Sequence, residues 1–370
     1  MHWSWTIGRI AGIKIRMHWT FLLLLAWVAV MFAGQGWEAA VRGVVFVLAI
    51  FGCVILHECG HALMARRYGI PTEDITLLPI GGVARMQRIP SEPEKELWIA
   101  VAGPAVNVVI AGVLAIGLLV GEGPRAVAVE PSVTASFFTN LMFVNVALVL
   151  FNLLPAFPMD GGRMLRAFLA MRMDYLKATN IAAGIGQAMA IVFGVVGLFW
   201  NPLLLLIALF VYLGAEAEAQ AVRLRSLLGD APVRDAMMTR FESLSPGDTL
   251  HTAVEALLAG SQQDFPVVDK TGFRGMLRRK DLVEALHNGQ ADRSVGDVQT
   301  TVEEVVGEDD RLQDVLELMR RIDCQSMPVF RDRELVGLVS LENVGELVMV
   351  RSAVQHRKTP HDVDRMVNAA

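Results

Sequence analysis

The chain has 370 residues, of which 54% are hydrophobic and only 19% charged, with a formal net charge of -5. Soluble proteins average roughly half apolar and about a quarter charged residues, so the missing charge discriminates and the apolar content does not. A negative balance without a long basic block argues against nucleic acid as a partner. Three cysteines (Cys53, Cys59, Cys324) exclude a disulfide framework and a zinc site built from four cysteines.

The charge deficit is uneven. Up to Gln220 there are 14 Lys/Arg and 13 Asp/Glu; from Ala221 onward there are 19 and 25. This predicts a membrane domain over 1–220 and a soluble domain over 221–350. Residues 351–370 lack apolar periodicity and read as a flexible tail. No cleavable signal peptide is expected, because the apolar stretch after Arg9, Lys14 and Arg16 lacks a small-x-small cleavage site.

A crossing needs about 20 mostly apolar residues. The gaps between basic residues predict six transmembrane helices near 18–35, 43–65, 97–120, 134–157, 178–198 and 202–219. Successive segments outside these spans hold 3, 1, 5, 1, 4 and 0 basic residues. The positive-inside rule then puts both termini in the cytoplasm.

Ionisable groups inside apolar spans are costly and mark sites. The second crossing contains His57-Glu58-Cys59-Gly60-His61, an H-E-x-x-H. On a helix, positions i and i+4 share a face, so His57 and His61 can offer two imidazoles to one zinc ion. Glu58 lies beside that face, placed to take a proton from water. Zinc needs a third ligand. Residue 67 is an arginine, against the pattern with a third histidine, and Glu73 and Asp74 follow Gly69 and Pro71 in an interfacial segment. Asp160 is the better candidate, since Pro155, Pro158, Gly161 and Gly162 break the helix around it. Asn107, in Ala102-Gly103-Pro104-Ala105-Val106-Asn107, can bind a ligand or the developing oxyanion, or glue helices together. Asn152 can hold the broken backbone or bind substrate. Asn140 and Asn145 read as packing groups deeper in the fourth crossing.

With H-E-x-x-H, A-G-P-x-x-N and N-x-x-P-x-x-P-x-D-G in this order on crossings two, three and four, the chain resembles the site-2 protease family of intramembrane zinc metalloproteases. The resemblance implies one Zn2+ per chain, held by His57, His61 and Asp160, with Glu58 as the base. Asn107 matches the asparagine of the family's A-G-P motif. His18 sits where relatives often have a histidine and reads as a gating residue or an interfacial anchor. Segment 70–90 looks like the family's membrane-associated β-structure, an edge to which an unwound substrate can add as a strand. Expected substrates are membrane proteins such as anti-sigma factors, membrane-tethered transcription factors or signal-peptide remnants. The expected location is a prokaryotic plasma membrane.

The soluble part repeats itself at an offset of 62: Asp235 with Asp297, Leu250 with Leu312, Pro266 with Pro328, Gly275 with Gly337. Each unit reads as helix (His251–Ala259; Leu312–Arg320), strand (Phe265–Asp269; Met327–Arg331), strand (Arg274–Leu277; Leu335–Ser340) and helix. Two such units, about 228–288 and 290–350, resemble tandem CBS domains, which implies an α/β pair and a homodimer through it. Members of that family often bind ATP or AMP through a Thr/Ser and an Asp three residues later. Here those positions are Arg278 and Asp281 in one repeat and Ser340 and Asn343 in the other, so each half keeps one of the two. Arg278, Asp281 and Ser340 are the nucleotide-binding candidates, set against a structural or sensing module that binds none. The rival to the protease reading is a catalytically inactive or transport-related membrane scaffold with CBS sensing. The two halves of 1–220 lack the internal likeness usual in transporters.

Overall fold

A computed structural model describes residues 4–79, 81–86, 92–121, 123–124, 136–302 and 304–356. Its contacts divide the chain into two compact units, Met1–Val222 and Arg223–Ala370.

The first unit opens with two strands where only a basic flank was expected. Strands β1 (Ser4–Ile10) and β2 (Ile13–His18) form a hairpin turning on Ala11 and Gly12, both at positive φ. After a long crossover, β3 (Thr72–Leu78) pairs parallel to β2, and β4 (Gly81–Met86) pairs antiparallel to β3. Strands β3 and β4, within the expected segment 70–90, therefore form half of a sheet ordered β1-β2-β3-β4, and residues 80 and 87–90 of that segment lie outside the described part. Composition hides β1 and β2, because Arg9, Lys14 and Arg16 sit among their alternating apolar residues. Ile13, Ile15 and Ile75 nonetheless pack on Cys59 and Ala62. The sheet thus rests on the helix that carries H-E-x-x-H.

The crossover consists of α1 (Trp19–Ala33) and α2 (Trp37–Arg67). There follow α3 (Pro93–Gly121), α4 (Phe137–Asn152), α5 (Asp160–Ala170), α6 (Tyr175–Phe199) and α7 (Pro202–Leu228). Among the described residues, four helices are long and apolar enough to cross a membrane: α2, α3, α6 and α7. The other two predicted crossings, α1 and α4, have 15 and 16 residues, about 23 Å at 1.5 Å per residue. The fourth predicted span, 134–157, is too long at its end. Its helix stops at Asn152, and residues 153–159 turn through two prolines before α5 starts at Asp160.

The second unit contains the repeat. Its elements are α8 (Leu250–Ala259), β5 (Phe265–Asp269), β6 (Gly272–Leu277), α9 (Arg279–His287), a short α10 (Val295–Val298), β7 (Val306–Gly307), α11 (Leu312–Arg321), β8 (Ser326–Arg331), β9 (Glu334–Ser340) and α12 (Leu341–His356). The expected helix-strand-strand-helix order holds in both halves. Backbone bridges obey the same offset: Leu244 pairs with Val267 as Val306 pairs with Val329. Met238 pairs with Leu338, and Thr300 with Met276. Each repeat therefore lays a strand on the central strand of the other.

This exchange explains the recurring glycine. A Cβ on Gly275 would lie 2.7 Å from the Thr300 carbonyl oxygen, and one on Gly337 would lie 2.9 Å from that of Met238. The last helix extends past residue 350, where a tail was expected to begin. Arg351 Nη1 donates to the carbonyls of Leu227 (3.1 Å) and Leu228 (2.9 Å), and Nη2 to Asp235 (2.9 Å). That capping of α7 holds the added turn. Residues 357–370 lie outside the described part.

Gly337→Val is expected to cost ~1–3 kcal/mol by overpacking and to lower the melting temperature of the second unit. Gly345→Ala, where a Cβ meets nothing within 4 Å, is expected to leave it unchanged. Calorimetry of the purified full chain separates the two.

Candidate metal centre

His57 and His61 project from one face of α2, and Asp160 is the first residue of α5. All three are buried, at 7%, 5% and 7% exposure. Their atoms form a nearly equilateral triangle. His57 Nε2 and His61 Nε2 are 3.1 Å apart, and Asp160 Oδ2 is 3.2 Å from the first and 3.1 Å from the second. The face of a zinc tetrahedron with bonds of about 2.0 Å has edges of about 3.3 Å.

The hydrogen bonds behind the rings fix their tautomers. His61 Nδ1–H donates to the Ile99 carbonyl at 2.6 Å. His57 Nδ1–H donates to Asn107 Oδ1 at 2.7 Å. That oxygen is assigned in turn, because Asn107 Nδ2 donates to Asn145 Oδ1 (3.0 Å) and Asn145 Nδ2 to the Leu141 carbonyl (2.9 Å). With each Nδ1–H committed to an oxygen, the two Nε2 atoms and a carboxylate oxygen converge on one point. The donor set of two imidazoles and a carboxylate fits zinc.

The centre opens into a cavity of about 380 Å³. Glu58 lines it beside the three ligand candidates, with Asn152 and Arg163 on its wall and Gly81, Gly82 and Ala84 of β4 along one side. A Cβ on Gly82 would lie 2.9 Å from Glu58 Cγ, so strand and glutamate are in contact. Among the described residues, β4 pairs only with β3, leaving its outer edge free.

Several expected residues take other places. Asn107 is fully buried and has both ends of its amide engaged, so it orients His57 instead of contacting substrate. Asn145, read as a packing group, is the next link in the same chain. His18 caps α1, its Nδ1 accepting from the Thr20 backbone at 3.4 Å, and does not line the cavity. The Ile99 carbonyl and the cavity arginine, Arg163, were missed. A backbone group carries no sequence signal, and Arg163 counted only as a flanking charge. In the second unit, Asp281 accepts from Thr300 Oγ1 (2.8 Å) and Ser340 Oγ donates to Asn343 Oδ1 (2.7 Å). Ser340 lines a cavity of about 440 Å³ with Asp264, Glu342 and Glu346, whereas Arg278 and Asp281 do not.

The profile of peptidase family M50 matches residues 45–131 and 122–193, and that of the CBS domain matches 233–288 and 295–348. The zinc metalloprotease MJ0392 of Methanocaldococcus jannaschii is 34% identical over 348 residues, 93% of this chain and 96% of that one. The chain belongs to peptidase family M50. A second relative, Rip3 of Mycobacterium tuberculosis, is named provisionally as a zinc metalloprotease. It is 30% identical over 98% of both chains. The solved site-2 protease from Methanocaldococcus jannaschii is 40% identical, covering 59% of this chain and 95% of its own, with a TM-score of 0.43. M50 membership places the triangle of donors in a metallopeptidase.

One position on α3 tests the centre without replacing any of the three donor residues. A Cβ on Gly103 would lie 2.2 Å from His61 Nε2 and 2.7 Å from His57 Nε2. Gly103→Ala is expected to weaken zinc retention by roughly tenfold or more, while Gly112→Ala on the same helix, with nothing within 4 Å, retains it. Elemental analysis of the purified proteins measures the difference.

Proposed function

We propose that this chain is an intramembrane zinc endopeptidase whose protease domain, 1–220, crosses a prokaryotic plasma membrane six times with both termini in the cytoplasm. The convergence of His57, His61 and Asp160 beside Glu58, toward the C-terminal end of an apolar helix, supports this reading most directly. The short helices α1 and α4 complete six crossings with modest thinning or local adaptation of the bilayer.

His57, His61 and Asp160 would hold the ion. Zinc, when bound, supplies the Lewis acidity that makes water a nucleophile at neutral pH. Glu58 takes the proton of the attacking water and delivers it to the leaving amide nitrogen. Arg163 and Asn152 offer donors along the cavity wall. A transmembrane helix keeps its amides in its own hydrogen bonds, so it must be extended before it can be cut. The free edge of β4 pairs with the extended segment and lays it against Glu58. Membrane proteins such as anti-sigma factors, tethered transcription factors or signal-peptide remnants are the substrate class.

Glu58→Gln keeps the three ligand candidates and removes the base. It is expected to retain zinc and to lose about 10²–10⁴-fold in turnover on a membrane-spanning reporter in reconstituted vesicles. Full cleavage by Glu58→Gln would overturn the assignment of the base. Absence of zinc from the wild type would overturn the metal centre.

The CBS pair, proposed over 221–350, acts as a regulator and dimer contact. The cavity at Ser340 is lined by the carboxylates of Asp264, Glu342 and Glu346 and by no basic side chain, which disfavours a phosphate. The pseudo-symmetric positions Arg278 and Asp281 suit ATP or AMP better. Arg278 Nε is buried without a hydrogen-bond partner among the described residues. Calorimetric titration of the full chain with ATP is expected to show binding that Arg278→Ala weakens roughly tenfold or more. Equal affinity in both proteins would remove Arg278 from the site.

A further inference from the structure

The mechanism above leaves unused the most buried charge in the first unit. Arg166, at 1% exposure, lies on α5 two turns beyond Asp160. Its Nε and Nη2 donate to Glu96 Oε1 at 2.8 and 2.5 Å, and its Nη1 donates to Glu218 Oε1 at 2.6 Å. Tyr175 donates to the other Glu96 oxygen at 3.0 Å. The guanidinium carbon lies 4.9 Å from the ring centre of Phe157 and 5.1 Å from that of Tyr175. One side chain therefore ties together α3 through Glu96, α6 through Tyr175 and α7 through Glu218. It also grips Phe157, which is fully buried in the break that leads into Asp160.

What α3 carries makes this arrangement more than packing. Glu96 lies one turn before Ile99, whose carbonyl orients His61, and α3 also supplies Asn107, which orients His57. Asp160 comes from a different helix and has no backbone continuity with either histidine. Among the described residues, Arg166–Glu96 is the ion pair that joins the helix of the third ligand to the helix that orients the first two. Stability is a poor reason for such a pair, since well-packed apolar replacements of buried ion pairs are often neutral or stabilising. Register is a better one. Ligands must be held within a fraction of an ångström for zinc to bind tightly, and α5 has only 11 residues with which to fix its own position.

We propose that Arg166 and Glu96 are positioning residues that set zinc affinity by locking the Asp160 helix in register against α3. The proposal rests on the metal-centre reading above.

Zinc affinity of the detergent-solubilised full chain, measured by competition with a chromogenic chelator, provides the test, alongside the melting temperature of the metal-free protein. Arg166→Lys, which keeps the charge and loses the fork, and Glu96→Gln are expected to bind zinc roughly 10–100-fold more weakly. Tyr175→Phe removes one hydroxyl and leaves the ion pair, so it folds where the others fail. It is expected to lose about two- to tenfold. The triple variant Glu96→Leu/Arg166→Met/Glu218→Gln, in which no charge is left unpaired, decides between the roles. Recovered melting temperature with zinc affinity still depressed supports positioning. Recovered stability together with wild-type zinc affinity would show the network to be packing alone and overturn the proposal, as would wild-type affinity in Arg166→Lys and Tyr175→Phe. If the wild type itself binds no zinc, the metal-centre reading fails and this proposal with it.

Discussion

Three electron-pair donors held about 3 Å apart in apolar surroundings are the constraint around which the first unit is arranged. Left to themselves, two imidazole lone pairs and a carboxylate would separate or capture a proton. The surrounding hydrogen bonds fix the rings in place. The Ile99 carbonyl and the Asn107 amide consume the protons of the Nδ1 atoms, and Asn145 and Leu141 hold Asn107 in the one orientation that accepts. Every link is buried, and in a low-dielectric interior each fixed dipole acts strongly on its neighbour. The polar groups inside these apolar helices thus form one chain ending at the ligands. Cys53, at the edge of that chain, receives a weak hydrogen bond from Asn145 Nδ2 at 3.4 Å.

The same helix explains how the sheet becomes part of the site. One face of α2 presents His57 and His61 to α3 and α5, and the neighbouring surface at Cys59 and Ala62 carries the sheet through Ile13, Ile15 and Ile75. Glu58 lies between these two surfaces, facing both the cluster of His57, His61 and Asp160 and strand β4. The small residues of β4 matter here because a side chain at Gly82 would occupy the position of Glu58. A free strand edge is normally an aggregation liability. Here it runs along the cavity that Glu58 lines.

The second unit applies repetition to a different end. Each repeat completes the sheet of the other, which is why Gly275 and Gly337 recur in phase: a foreign backbone passes over each of them. The fold is near-symmetric but the chemistry is not. Ser340 borders a cavity of carboxylates, whereas Arg278 stands at the equivalent position of the other repeat. The two equivalent positions therefore differ in charge while the strand pairing around them keeps the same offset.

Much of this protein was legible in the sequence because the relevant signals are local. Helical spacing puts His57 and His61 on one face whatever surrounds them, Pro155 and Pro158 break the helix ahead of Asp160 (although Pro104 is accommodated inside α3), and a 62-residue repeat declares itself by matching residues in phase. The distribution of charge likewise separated an apolar part from a soluble one. Only the tertiary structure brought Asp160 to the histidines, moved Asn107 from the cavity to the back of a ring, and joined β1 and β2 to a sheet begun by a basic-looking flank. It also decided the length of the helices, since α4 ends at Asn152 ahead of a turn containing Pro155 and Pro158, and the contacts of Arg166, a charge that composition counts merely as basic. These outcomes depend on which backbone carbonyl or side chain lies opposite across a helix interface. That is a property of packing between distant segments, and sequence spacing does not encode it.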